Sequence, residues 1–138
     1  MRSALLAASV CWIGFGANAG AAELSLTFDR LKPGGQVSIA IFDNEAAWSQ
    51  RSAPAWSRIV PASSATVRLT VDLPPARYAV MAYHDRDGDG RLDTLPVGLP
   101  TEPYGFSNNS RGVFGPPKWS AAVFELKEPG GQQAISLR

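Results

Sequence analysis

Val67, Leu69, Val71 and Leu73 occupy every second position of the stretch Thr66–Leu73. Successive side chains of a strand point to opposite faces, so this alternation makes one apolar face and one wet face. The same period recurs along the chain. Leu24, Leu26 and Phe28 alternate within Glu23–Asp29, and Val37, Ile39 and Ile41 within Gln36–Phe42. Arg77–His84, Ala121–Leu126 and Gln133–Leu137 read as further strands, and Arg58, Ile59 and Val60 as a brief pairing segment. Breakers separate them: Leu31-Lys32-Pro33-Gly34-Gly35, Pro74-Pro75-Ala76 and Glu128-Pro129-Gly130-Gly131. The first two strands read as a hairpin. Asp43 or Asn44 is placed to cap a short helix over Glu45–Gln50. There is no internal repeat and no heptad pattern. The expectation is an all-β chain, an antiparallel β-sandwich of six to seven strands with one short helix and one long loop rich in Gly, Pro and aromatic residues.

The first residues stand apart from this pattern. Arg2 precedes a short apolar run, Ala4–Phe15, and Ala17-Asn18-Ala19 is a small-x-small cleavage signal. Residues 1–21 therefore read as a secretory signal peptide, and residues 22–138 as a single β-sandwich domain. The apolar run is short for a membrane span. Cys11, the one cysteine of the chain, lies in this leader, so the mature domain is expected to hold no disulfide and no thiol chemistry. The whole chain has 13 basic and 12 acidic residues, and losing Arg2 brings the two into balance. No basic run points to nucleic acid. The expected location is periplasmic or secreted, with no transmembrane segment once the leader is removed.

Chemistry concentrates in one stretch, Asp85-Arg86-Asp87-Gly88-Asp89-Gly90-Arg91-Leu92-Asp93. The spacing is that of a DxDxDG calcium loop. Asp85, Asp87 and Asp89 take its first three ligand places, Gly90 the sharp turn, Arg91 the backbone-carbonyl place and Asp93 the ninth. Acids this close repel one another and call for a counter-charge, part of which Arg86 and Arg91 can supply. The twelfth place, a bidentate Glu in an EF-hand, is Pro96, and the flanks read as a strand and a Pro-rich loop. The loop is thus a calcium-type loop on a β-scaffold, with Glu102 the nearest acid able to fold back as the missing ligand. Calcium suits a ring of many oxygens better than magnesium does. The plainer alternative is a solvated Asp/Gly turn.

Leu95–Lys118 is long, irregular and aromatic. Tyr104, Phe106 and Phe114, with Trp119 just beyond, form a candidate ligand-binding surface together with Asn108 and Asn109. The competing reading packs the aromatic rings against the sandwich and uses the two Asn residues for unusual backbone angles. Trp48 and Trp56 carry the same pair of readings, a ligand platform or a cover for a sheet edge. His84, the single histidine, makes a poor transition-metal site alone. A Ser-His-Asp arrangement with Ser107 or Ser110 lacks nucleophile-elbow spacing.

From about Leu24 onward the chain resembles the bacterial domain-of-unknown-function family 2141. The resemblance rests on Tyr78-Ala79-Val80, His84-Asp85 and the Asp/Gly loop to Asp93. It continues through Gly98-Leu99-Pro100-Thr101-Glu102-Pro103-Tyr104-Gly105-Phe106-Ser107-Asn108-Asn109 and Phe114-Gly115-Pro116-Pro117. It implies a small secreted β-sandwich. Asn often stands in that family where this chain has Asp87 and Asp89, and the added charge favours a cation. The layout of strand and Asp/Gly loop is also similar to prealbumin-like repeats of bacterial surface proteins, which hold calcium in comparable loops. A prealbumin-like or immunoglobulin-like sandwich follows as an expectation, and fold alone does not settle function.

These readings combine into an exported, non-catalytic module that binds one calcium ion, which orders the neighbouring aromatic loop. The alternative is a ligand-binding module for a glycan, peptide or envelope partner, built on residues 95–119. A hydrolase using His84 stands third and requires that side chain to face solvent in a pocket.

Overall fold

The computed structural model describes residues 21–88, 102–113 and 115–138. It is mostly strand. In chain order the elements are β1 (Ala22–Asp29), β2 (Gln36–Phe42), α1 (Glu45–Gln50), β3 (Trp56–Pro61), β4 (Val67–Leu73) and β5 (Ala76–Asp85). After the acidic loop come β6 (Tyr104–Phe106), a 3-10 turn (Ser107–Asn109), α2 (Trp119–Ala122), β7 (Phe124–Leu126) and β8 (Gly130–Ser136).

The strands form two sheets. One has the order β4-β1-β8. The other has the order β3-β2-β5-β6, with β7 also paired to β5. The alternating apolar positions meet between them. Leu24, Leu26 and Phe28 of β1 and Ile135 of β8 pack against Val37, Ile39 and Ile41 of β2 and Val80 and Ala82 of β5, all at most 1% exposed. Each Leu, Ile, Val or Phe side chain so removed from water contributes about 1.5–3 kcal/mol, before the entropy of ordering is subtracted.

A second, smaller apolar cluster lies on the outer face of the larger sheet. Trp48 of α1 is its centre, with Phe42, Phe106 and Trp119 around it in edge-on contacts, centroids 5.5, 5.9 and 6.3 Å away. The indole Nε1–H donates to the carbonyl of Pro117 at 2.9 Å, so its polar edge is satisfied. Asn44 is the cap of α1, its Oδ1 accepting from the amide of Ala47 at 2.8 Å.

Several expectations change. Strands β1 and β2 are not a hairpin, because β1 pairs with β4 and β8, and β2 with β3 and β5. The buried side chain of Leu31 turns inward within the connection, and its amide bonds the carbonyl of Ala65 at 3.0 Å. The chain therefore crosses the sandwich there. The pairing is not wholly antiparallel, since β1 and β8 run parallel. Ala121 and Ala122 are helical rather than extended, and Ala122 seals the outer cluster. The long loop contains strand β6 and the 3-10 turn.

Strand β6 joins the two sheets. Tyr104 and Arg138 exchange backbone hydrogen bonds at 3.1 and 3.0 Å. Gly105 allows this approach, because a Cβ there would lie 2.6 Å from the carbonyl oxygen of Ser136 and 2.8 Å from Ile135 Cγ2. Pairing along the other edge of β5 is split. Met81–Tyr83 bond β6 and Ala76–Tyr78 bond β7. In the gap, the Val80 amide donates to Ser107 Oγ at 2.9 Å, and Ser107 Oγ donates to the carbonyl of Ala122 at 2.6 Å.

Candidate metal centre

The site grows from the register of β5. Tyr83 pairs with Tyr104, and the amide of His84 donates to the carbonyl of Pro103 at 2.8 Å. Carrying this register one step further sets Glu102 opposite Asp85. On the other flank Asp85 pairs with Gln36 of β2. The row Gln36–Asp85–Glu102 thus crosses three chain segments on the outer face of the sheet. His84, one residue earlier, points to the opposite face.

Asp85 is fully buried and Glu102 is 6% exposed, whereas Asp87 is exposed. One oxygen from each of the three carboxylates lies within 4.8 Å of the others. Asp85 Oδ2 accepts from Gln36 Nε2 at 3.1 Å and Oδ1 from the amide of Gly88 at 2.9 Å. Glu102 Oε1 accepts from the amide of Arg86 at 3.2 Å. These bonds fix the direction of both carboxylates and tie the loop start to the sheet. Gly35 packs beneath, where a Cβ would overlap the carbonyl of Asp85 and stand 2.7 Å from Arg86 Cα. Its φ of +67° also favours glycine.

The arrangement offers oxygen donors only, which suits a hard cation rather than a thiophilic metal. Glu102, expected to fold back, does stand beside Asp85 and Asp87. Asp89, Arg91 and Asp93 lie outside the described residues. Gln36 was not among the residues singled out from sequence. Its signal is the β2–β5 register, which places it beside Asp85 and which local patterning does not contain.

His84 is 1% exposed, and its Nε2 is 2.7 Å from the carbonyl oxygen of Gly34. It therefore braces the β1–β2 connection rather than the loop that follows it. The solvent-facing pocket required of a general base is not formed around it among the described residues. Ser107 is buried between Val80 and Ala122, and Ser110 Oγ donates to the carbonyl of Ser107 at 2.8 Å.

The aromatic and Asn candidates scatter. Phe106 is buried in the outer cluster. Tyr104 is half-buried, edge-on to Phe106 and beneath the guanidinium of Arg111, 5.2 Å from the ring centre. Asn108 and Asn109 adopt positive φ, 59° and 49°. Asn108 Nδ2 donates to the carbonyls of Ala121 and Val123, and its Oδ1 accepts from Gln133 Nε2. Asn109 Oδ1 accepts from the amide of Ser136. Both side chains are engaged in joining the 3-10 turn to its neighbours. Trp119 is half-buried beside α1. Phe114 lies outside the described residues. Trp48 is core, and Trp56 packs against the sandwich interior with Arg58 over its ring.

Among the described residues no helix is long and apolar enough to cross a membrane. No curated protein and no solved structure matches the chain at a significant level. The family described as an uncharacterized protein conserved in bacteria (DUF2141) matches residues 26–134, a span that includes strands of both sheets, Asp85, Asp87 and Glu102. The chain belongs to that bacterial family.

Proposed function

We propose that this chain is an exported, non-catalytic β-sandwich module that holds one calcium ion at Asp85, Asp87 and Glu102, with Asp89, Asp93 and the carbonyl of Arg91 completing the set. The observation that carries this reading is the convergence of three carboxylates, two of them buried, from segments on both sides of the acidic loop. Like charges directly opposite on neighbouring strands destabilise a sheet. A divalent cation converts that repulsion into attraction and clamps the two ends of the loop together. The ion's role is architectural: it neutralises the cluster and sets the segment that follows. The export part of this reading is supported by the leader-like pattern of residues 1–21.

Calorimetric titration of calcium into the chelator-treated chain tests this, with Asp87→Ala as control because Asp87 is exposed and its loss spares the core. One-site binding that disappears in the variant is the expected result. An absence of heat, together with an unchanged melting temperature at millimolar calcium, would reduce the cluster to an acidic turn.

A further inference from the structure

Helix α1 ends in a Schellman motif. The amide of Ser52 donates to the carbonyl of Ala47 and that of Arg51 to the carbonyl of Trp48, both at 3.2 Å. The position that must turn left-handed is Arg51, with φ 51° and ψ 44°. Glycine is the residue that occupies such a position at least cost. Arginine there is strained, and strain of this kind collects where a side chain has work to do. Ala53, two residues on, is also left-handed, φ 51°.

The Arg51 side chain reaches a groove between α1 and the start of α2. A Cβ on Gly115 would lie 3.7 Å from its Nη2. The groove has a volume of about 270 Å3, close to the lower end of small-molecule sites. Trp119 forms one wall, steadied edge-on by Trp48. Lys118 stands beside it, and Glu45, Ser49 and Ser120 complete the polar lining. Neither Arg51 nor Lys118 forms an ion pair among the described residues.

We infer that this groove binds a carboxylate-bearing sugar, a uronic acid unit of an acidic glycan. Each part of the lining matches a part of that ligand. The guanidinium of Arg51 presents a planar fork of donors for a carboxylate, and Lys118 adds a second positive charge. The indole of Trp119 offers an apolar wall for one face of the ring. Glu45 and the two serine hydroxyls suit ring hydroxyls, which both donate and accept. The small volume favours a single ring over a peptide segment. The site stands apart from the carboxylate cluster. Gln36 beside Asp85 and Phe42 beside Trp48 are six residues apart along β2, or about 20 Å at the usual rise.

Titration of the purified chain with trigalacturonate, first in chelator and then with calcium, supplies the test. The expected result is one-site binding already in chelator, weakened at least tenfold in Arg51→Gly and in Lys118→Gln. The melting temperature of Arg51→Gly is expected to hold or rise, which separates loss of ligand from loss of fold. The methyl-esterified trimer keeps the rings without the charge and is expected to bind at least tenfold more weakly. The proposal is overturned by absence of binding, by equal binding of the ester, or by an Arg51→Gly variant that binds as well as the parent. Binding seen only with calcium would also overturn it, by moving the ligand to Asp85. A short acidic peptide that binds as tightly as the trimer would remove the sugar assignment. Failure of the calcium reading leaves the chelator arm untouched.

Discussion

Asp85 and Glu102 stand opposite each other across the end of strand β5, and an oxygen of each lies within 4.8 Å of an oxygen of Asp87. Both are buried. The backbone brings them together, because the His84 amide bonds the Pro103 carbonyl between them. Seventeen positions of sequence separate two carboxylates that the sheet makes neighbours.

This pairing predicts a change of sign with metal. Glu102→Gln removes one charge and keeps an oxygen for the Arg86 amide. Without calcium the variant is expected to be at least as stable as the parent, because like charges set opposite on neighbouring strands are destabilising. With calcium it is expected to be the less stable of the two. Thermal melts of both chains in chelator and in millimolar calcium check this, and parallel shifts in the two conditions would contradict it.

Ser107 predicts a cost to stability. Its hydroxyl fills the seam between β6 and β7 on the edge of β5, accepting from Val80 and donating to Ala122. Ser107→Ala leaves a buried amide and a buried carbonyl short of a partner, which costs about 1–3 kcal/mol. Urea denaturation measures it. A neutral result would mean that water replaces the hydroxyl.

At Gly105 the closure between the sheets is at stake. Gly105→Ala sets a methyl group against the Ser136 carbonyl and Leu137 Cδ2, which would lie 2.6 and 3.0 Å away. Strand β6 must then withdraw from β8, at a cost of about 1–3 kcal/mol. Amide exchange should show faster exchange at Tyr104 and Arg138, whose mutual bonds depend on that approach.

Tyr78 makes the fold sensitive to alkali. Its hydroxyl donates to the carbonyl of Pro74 at 2.6 Å and holds the β4–β5 turn. Burial raises the phenol above its ordinary pKa, and the negative charge of Asp43 adds to the shift. The folded chain therefore keeps this proton to higher pH than the unfolded chain does. Stability should fall as pH rises beyond about 10, the ordinary phenol value. Tyr78→Phe loses the hydrogen bond at every pH but should flatten this alkaline slope. Urea melts from pH 8 to pH 11 compare the two.

Much of the secondary structure was legible because it is local. The alternation in Glu23–Asp29, Gln36–Phe42 and Thr66–Leu73 marks which face of each strand is apolar, and those faces are the buried ones. The Asn44 cap was readable from residue type and spacing. The hairpin expectation failed for a related reason. Alternation shows that β1 and β2 each have an apolar face, but two strands in one sheet and two strands facing each other across a core satisfy it equally. Leu31 decides between them only once the core it enters exists.

The candidate site divides in the same way. Sequence by itself determined the β-rich class, the run of acids at alternating positions and the likeness to one bacterial family. Tertiary structure alone decided that Glu102 and Gln36 join Asp85, that His84 turns inward, and that Phe106 and Trp48 are packing while Trp119 borders a groove. The reason is physical. Apolar periodicity is written in side chains, whereas strand pairing uses backbone groups common to almost every residue. Which distant segments meet is therefore settled only when the whole core closes.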